Sequence, residues 1–497
     1  MIGEADEGRA RVPGPARLHP PQTRNTYELD MPGDAVRAST QPRCHSVTAA
    51  FGRALVVLAA GALATPGLAQ WKSDLEACGR ASLAPQQRIE VCTRALLSTD
   101  LPAADRAMTY NNLGVAWKEA GDLERAIANY DRAIAVDSRF ANAYNSRGAA
   151  LGSKGDLVSA LRDFDRAIEL NPELGSAYEN RGLVLQSRGD LSGAIKDLDE
   201  AIRLQPGVGR NYVERASVWD TKGNAARAID DLSEAIRLDP GREELFVVRG
   251  LLWDRQRDTT HSIADYDEAI RLNPKFAAAY NNRCNTWLIK QAYDRASADC
   301  TTALQLDPAL AQAHFNRGVL WVVANDYAKA REEFDQAIRL KPQFAPAYKS
   351  RAALSFYSAQ FDAAQADLVL AASLLRSDPY VAIWLYLAQA RAGQAESAAR
   401  QLAENATGAD PAAWPAPVIG LYLGRGDAGS VFKAAQQGEA RAQSDQQCEA
   451  AFYVGEWHLL HAEKAQALRL FEDAQRNCRK SFSESGGARA ELDRLAR

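Results

Sequence analysis

Apolar and polar positions along this chain recur with a fixed period. Pro172, Pro206, Pro240, Pro274, Pro308 and Pro342 stand 34 residues apart without a slip. The same period carries Tyr110, Tyr144, Tyr178, Tyr212, Phe246, Tyr280, His314 and Tyr348, and an alanine column at Ala133, Ala167, Ala201, Ala235, Ala269, Ala303, Ala337 and Ala371. Within one period, residues 178–186 and 191–204 each place apolar side chains at three-to-four spacing, with Gly189-Asp190 between them. Each period therefore predicts two amphipathic helices joined by a tight turn. Gly121-Asp122 and Gly155-Asp156 repeat the turn, whereas Arg257, Gln291, Asn325 and Ala359 stand where its glycine would be. Gly114, Gly148, Gly182, Ala216, Gly250, Cys284, Gly318 and Ala352 form a small-residue column in the first helix. A second small column, Ala126, Ala160, Ala194, Ala228, Ser262, Ala296, Ala330 and Ala364, lets the two backbones approach. A hairpin of this size cannot bury its apolar face alone, so neighbouring units must stack.

These columns resemble the tetratricopeptide repeat (TPR), whose signature of aromatic, small and alanine positions closes on a proline over about 34 residues. With first positions at 107, 141, 175, 209, 243, 277, 311 and 345, eight consecutive units end at Asp378. The resemblance implies an all-α fold, a right-handed TPR α-solenoid of about eight regular hairpins followed by divergent C-terminal repeats. The expected organisation is a disordered leader with signal peptide (1–69), an N-terminal capping hairpin (70–106), eight repeats (107–378), a divergent repeat with linker helices (379–447) and a C-terminal repeat with a capping helix (448–497). Trp414, Leu421-Tyr422-Leu423-Gly424, Phe452-Tyr453-Val454-Gly455-Glu456 and Ala467-Leu468-Arg469-Leu470-Phe471 look like the C-terminal region of NlpI-type bacterial envelope TPR scaffolds. That likeness implies recruitment of periplasmic peptidases or cell-wall hydrolases. The chain departs from it in having no cysteine to lipidate just after the apolar leader segment.

Two further columns keep the register. Trp117, Trp219, Trp253, Trp287 and Trp321 fall late in the first helix and are expected in the core. Arg147, Arg181, Arg215, Arg249, Arg283, Arg317 and Arg351 are matched sixteen residues later by Asp163, Asp197, Asp231, Asp265, Asp299, Glu333 and Asp367. This predicts a structural ladder of Arg–carboxylate bridges, within a hairpin or between neighbours. The competing reading, an arginine rail for an anionic ligand, is opposed by the acids that share its period.

In the resembled family, positions 2, 5, 9, 12 and 13 of each first helix line a concave face. Early repeats place Lys118, Glu119, Gln186, Ser187, Asp220 and Thr221 there, and later ones become apolar. The candidate peptide-binding groove comprises Val247, Asn282, Leu288, Ile289, Phe315, Asn316, Val322, Val323, Lys349, Phe356 and Tyr357. It suits an extended or helical peptide. The alternative is that the divergent C-terminal segment folds back and covers it. Asn282, Asn285, Asn316 and Lys349 are an incomplete version of the set with which some family members clamp a peptide carboxylate.

Composition narrows the class. Across 497 residues, 46% hydrophobic and 25% charged content excludes whole-chain disorder and an integral membrane bundle. A net charge of -4 supplies no field for nucleic acid. Arg53, the apolar run 54–64, Pro66, Gly67 and Ala69 read as a secretory signal cleaved after Ala69. The run is too short to span a bilayer, so no stable membrane insertion is expected after cleavage. Its distance from Met1 suggests a downstream start such as Met31. A periplasmic or secreted location permits disulfides. Cleavage removes Cys44, and six cysteines remain, with fifteen possible pairings. In the repeat register Cys284 and Cys300 face each other within one hairpin, Cys448 and Cys478 open and close another, and Cys78 and Cys92 flank a turn. Three local bridges are expected.

Catalytic chemistry finds little footing. His261, His314, His458 and His461 follow the leader, no C-x-x-C occurs, and no nucleophile or phosphate-loop motif stands in a strand-to-helix context. No catalytic residue, metal ligand or cofactor is assigned. The expected function is an exported, non-enzymatic scaffold or adaptor binding protein or peptide ligands. The alternative is a structural subunit of an envelope secretion or polysaccharide-export assembly.

Overall fold

The computed structural model describes residues 70–375, 378–405, 413–438 and 440–497. The leader and Cys44 lie outside them. Among the described residues there are twenty-five α-helices and no strand. They fall into two compact units, 70–282 and 283–497.

The first unit opens with α1 (Gln70–Cys78) and α2 (Pro85–Leu96), tied by the Cys78–Cys92 disulfide. Hairpins follow as α3 (Ala103–Glu119) with α4 (Leu123–Val136), α5 (Ala141–Ser153) with α6 (Leu157–Leu170), and α7 (Gly175–Ser187) with α8 (Leu191–Leu204). Next come α9 (Gly209–Thr221) with α10 (Ala225–Leu238) and α11 (Glu243–Arg255) with α12 (Thr259–Leu272). The division between units falls inside α13 (Ala277–Ile289).

The second unit continues with α14 (Tyr293–Leu306), α15 (Ala311–Val323), α16 (Tyr327–Leu340), α17 (Ala345–Tyr357) and α18 (Phe361–Leu374). Its divergent part is α19 (Pro379–Arg391), α20 (Ala395–Asn405), α21 (Ala416–Tyr422), α22 (Ala428–Ala434), α23 (Ala440–Leu460), α24 (Lys464–Asn477) and α25 (Ser483–Leu495). In each unit, sequential antiparallel helices stack as an α-solenoid.

Local chemistry explains the turns. Asp122, Asp156 and Asp190 accept hydrogen bonds from backbone N–H groups three residues on, at 2.9–3.0 Å, and Asn224 and Asp326 do the same at 3.2 and 3.1 Å. Each such N-cap contributes about 1 kcal/mol. The residue before the cap is left-handed: Gly189 has φ 83°, and Ala359, in the same column, has φ 58°. The later repeats keep the geometry after losing the glycine.

Between the helices of a hairpin, the small column meets the residue sixteen positions on. A Cβ on Gly114 would lie 2.5 Å from the Tyr130 ring, and one on Gly318 would lie 2.5 Å from Phe334. Where the small residue is Ala216 or Ala352, the partner is Leu232 or Leu368. In these four repeats an aromatic ring faces glycine and the smaller leucine faces alanine, so side-chain size and backbone approach are matched; Gly182 faces Leu198.

The tryptophan column is half-buried rather than enclosed. Each indole carries a basic side chain from the second helix: Arg125 lies 4.5 Å from Trp117, Arg227 4.4 Å from Trp219, Arg295 4.8 Å from Trp287 and Lys329 4.3 Å from Trp321. His261 stacks on Trp253 at 4.8 Å. These contacts let an indole sit at the hairpin edge with one face covered.

Candidate functional site

At least five of the seven arginines in the column make two connections. Arg181 donates through Nε and Nη2 to both oxygens of Asp197 at 2.7 and 2.8 Å, across its own hairpin. Its Nη1 donates to Asp165 in the preceding hairpin at 2.7 Å. Arg147 spans Asp163 and Asp131 in the same way, Arg215 spans Asp231 and Asp199, and Arg351 spans Asp367 and Asp335. Arg249 pairs with Asp265 but finds Ser233 at the second position, and burial there raises the Asp265 carboxyl against the pull of Arg249. Arg283 pairs with Asp299. Arg317 shares Glu333 with His314, which bonds it at 2.8 Å.

Hydrogen bonds to these acids raise the guanidinium pKa of Arg147, Arg181, Arg215 and Arg351. The acids Asp131, Asp165, Asp199 and Asp335 were not anticipated as partners, although they recur two residues before the alanine column. Where the second arm is present, the ladder thus bolts a hairpin to the one before it and spends its charge internally.

In residues 70–282 the face formed by first helices is polar. Asn180 donates to Asn145 at 3.0 Å, Gln186 to Ser217 at 3.1 Å, and Arg255 pairs with Asp220 at 2.7 Å. Arg210 reaches Glu179 at 3.1 Å and Glu214 at 3.6 Å. Burial and then the Arg210 charge hold the Lys118 ammonium below its usual range. Val247 and Asn282 are buried.

In residues 283–497 the corresponding face is apolar, and its far end is covered. Leu288, Asn316 and Phe315 are buried, and Phe315 packs on Phe334 and Phe344 at 5.6 and 5.3 Å rather than opening to a groove. Ile289, Val322, Val323 and Lys349 are half-buried, with Lys349 3.6 Å from Asp378. Phe356 is fully enclosed, its ring 5.2 Å from those of Phe361 and Trp384. The Tyr357 hydroxyl donates to the Ser483 carbonyl at 2.6 Å, and Arg494 donates to the carbonyls of Phe356 and Tyr357 at 2.9 and 3.0 Å. The C-terminal helix lies over the end of the expected groove.

Sequence profiles described as the TPR repeat and the tetratricopeptide repeat match residues 114–155, 141–174, 179–243 and 311–344. This is a TPR protein. No curated protein matches it significantly. Among solved structures, a tetratricopeptide repeat protein from Parabacteroides merdae is 19% identical over 50% of this chain and 98% of its own, with a TM-score of 0.44. MamA is 23% identical over 34% of this chain and 92% of its own, with a TM-score of 0.32. YrrB, described as a TPR protein with an unusual peptide-binding site, is 25% identical over 37% of this chain and 95% of its own, also at 0.32.

The TPR array makes the chain a protein–protein interaction scaffold. Its disulfides are Cys78–Cys92, Cys284–Cys300 and Cys448–Cys478, with Cα separations of 4.8, 5.5 and 5.0 Å. The histidines of the TPR hairpins have local partners: His261 bonds Asp258 at 2.7 Å and His314 also meets the Pro308 carbonyl at 3.1 Å. In the C-terminal repeat, His458 bonds Glu463 at 2.5 Å and His461 bonds the Trp457 carbonyl at 2.8 Å. Among the described residues, no three His, Cys, Asp or Glu side chains gather as a metal site, and no helix is long and apolar enough to cross a membrane.

Proposed function

We propose that this chain is an exported, non-catalytic TPR adaptor that holds protein partners along the first-helix faces of residues 107–276. The observation that carries the reading is the contrast between the two faces. The earlier one keeps polar side chains such as Gln186 and Ser217 at the surface, whereas the later one is apolar and covered at its far end by the chain's own C-terminal helix. A polar face suits a ligand bound through its backbone and polar groups, at modest apolar burial.

Three disulfides support an oxidising compartment, since such bonds do not persist in a reducing cytosol. Together with the leader at 53–69, they favour the bacterial periplasm. Envelope proteases or cell-wall hydrolases are the partners suggested by the NlpI-type likeness. Crosslinking followed by affinity capture from periplasm tests this. Recovery of a protease or wall hydrolase supports the adaptor, and recovery of secretion or polysaccharide-export components alone overturns it.

A further inference from the structure

The helix that covers the late groove is an unusual occupant. Glu484, Gly487, Ala488 and Glu491 form the most buried side of α25, and Ala490, Leu492 and Leu495 pack half-buried against the core beside them. Gly486 and Gly487 bring its backbone close to the aromatic floor: a Cβ on either would lie 2.7 Å from the Tyr357 or Phe452 ring. Two adjacent glycines also weaken the helix, at about 1 kcal/mol each relative to alanine.

The buried side chains that orient α25 are mainly polar. Glu484 accepts from the Tyr453 hydroxyl at 2.6 Å and from Trp384 Nε1 at 3.3 Å. Seven residues on, Glu491 accepts from Arg391 at 2.9 and 3.3 Å and also pairs with Arg494. Arg391 in turn bonds Glu456 at 2.8 Å. Beneath α25, α17, α19 and α23 present Phe356, Tyr357, Trp384 and Phe452. A weak helix held by carboxylates over an aromatic floor has the character of a low-stability unit that opens before the rest.

We infer that the groove formed by α17, α19 and α23 is a helix-docking site, occupied here by α25 and exchangeable for a partner helix of the same chemistry. That partner presents two carboxylates seven residues apart on a face of small residues. One carboxylate meets Trp384 and Tyr453 and the other meets Arg391. The scaffold reading supplies the partner, but the opening of α25 stands without it.

Native-state hydrogen exchange by mass spectrometry on the full chain tests the opening. Amides of α25 are expected to exchange about a hundredfold faster than those of α19. Glu491→Gln is expected to accelerate α25 about tenfold further and leave α19 unchanged; Arg494→Lys, at the rim, gives a milder version should Glu491→Gln disturb folding. Exchange of α25 no faster than α19 in all three proteins overturns the inference. A labelled peptide of sequence 483–497 then tests docking. It is expected to bind Glu491→Gln about tenfold more tightly than the unaltered chain, because the resident helix is weakened. A peptide with its two glutamates five residues apart is expected not to bind. Equal binding of the two peptides, or none of either, overturns the docking claim even where α25 opens.

Discussion

Cys284 and Cys300 occupy, with Cα atoms 5.5 Å apart, the two positions that hold Gly114 with Tyr130 and Gly318 with Phe334 in sister repeats. The disulfide replaces a glycine-on-ring contact at the same place in the hairpin. Its loop is short, with a sequence separation of 16, so its loss is expected to cost about 2–4 kcal/mol. Cys300→Ala is predicted to lower stability by that amount in non-reducing urea unfolding. Cys284→Gly combined with Cys300→Tyr is predicted to recover more than half of it by restoring the sister contact.

Ala359 holds a left-handed backbone, φ 58°, where Gly189 has φ 83°. An L-residue there carries about 1–2 kcal/mol of strain that glycine avoids. Ala359→Gly is predicted to raise stability by about 0.5–1 kcal/mol, the rest being offset by glycine's greater unfolded freedom. Gly189→Ala should lower it by about 1 kcal/mol. Thermal unfolding of the two variants checks both signs.

The two arms of an arginine rung differ in burial. Asp197 has a side chain 6% exposed, and that of Asp165 is 55% exposed. Arg181→Met strands the buried carboxylate and is predicted to cost about 2–4 kcal/mol. Asp165→Ala removes only the solvent-screened arm and should cost less than about 1 kcal/mol. Comparable losses from the two substitutions would contradict the assignment of Asp197 as the main partner.

Glu456 lies fully buried beside Glu491 and Arg391. Burial first, and then the Glu491 charge, push its carboxyl upward from the ordinary 4.5, with Arg391 opposing. The folded chain therefore keeps a proton that the unfolded chain releases. Its contribution is complete below pH 4.5 and is lost as pH rises through the folded value. Glu456→Gln is predicted to flatten this decline in unfolding measured across that range. An unchanged slope contradicts it.

The repeat architecture was legible because its physics is periodic: Gly182, Leu198, Asp190 and Arg181 each recur with the same neighbours. The disulfides followed from register, since Cys284 and Cys300 share columns whose residues touch in every hairpin. The state of the groove was less legible. Phe315 stands at a ligand-facing position by analogy, yet its ring is enclosed by Phe334 and Phe344. The cover over Tyr357 comes from Ser483, Gly486 and Arg494, which belong to no period and are more than 120 residues away, with Tyr357 and Ser483 126 apart. Only folding of the divergent segment brings them there.

Partners are proposed to bind the exposed first-helix face of the early repeats. Site-specific photo-crosslinking in cells tests it most directly, with the probe at Gln186 or Ser217 on that face and at Val158 on an exposed second helix. A discrete protein adduct is expected from Gln186 and Ser217 and none from Val158. Adducts from Val158 alone, or equal labelling at all three positions, would contradict it.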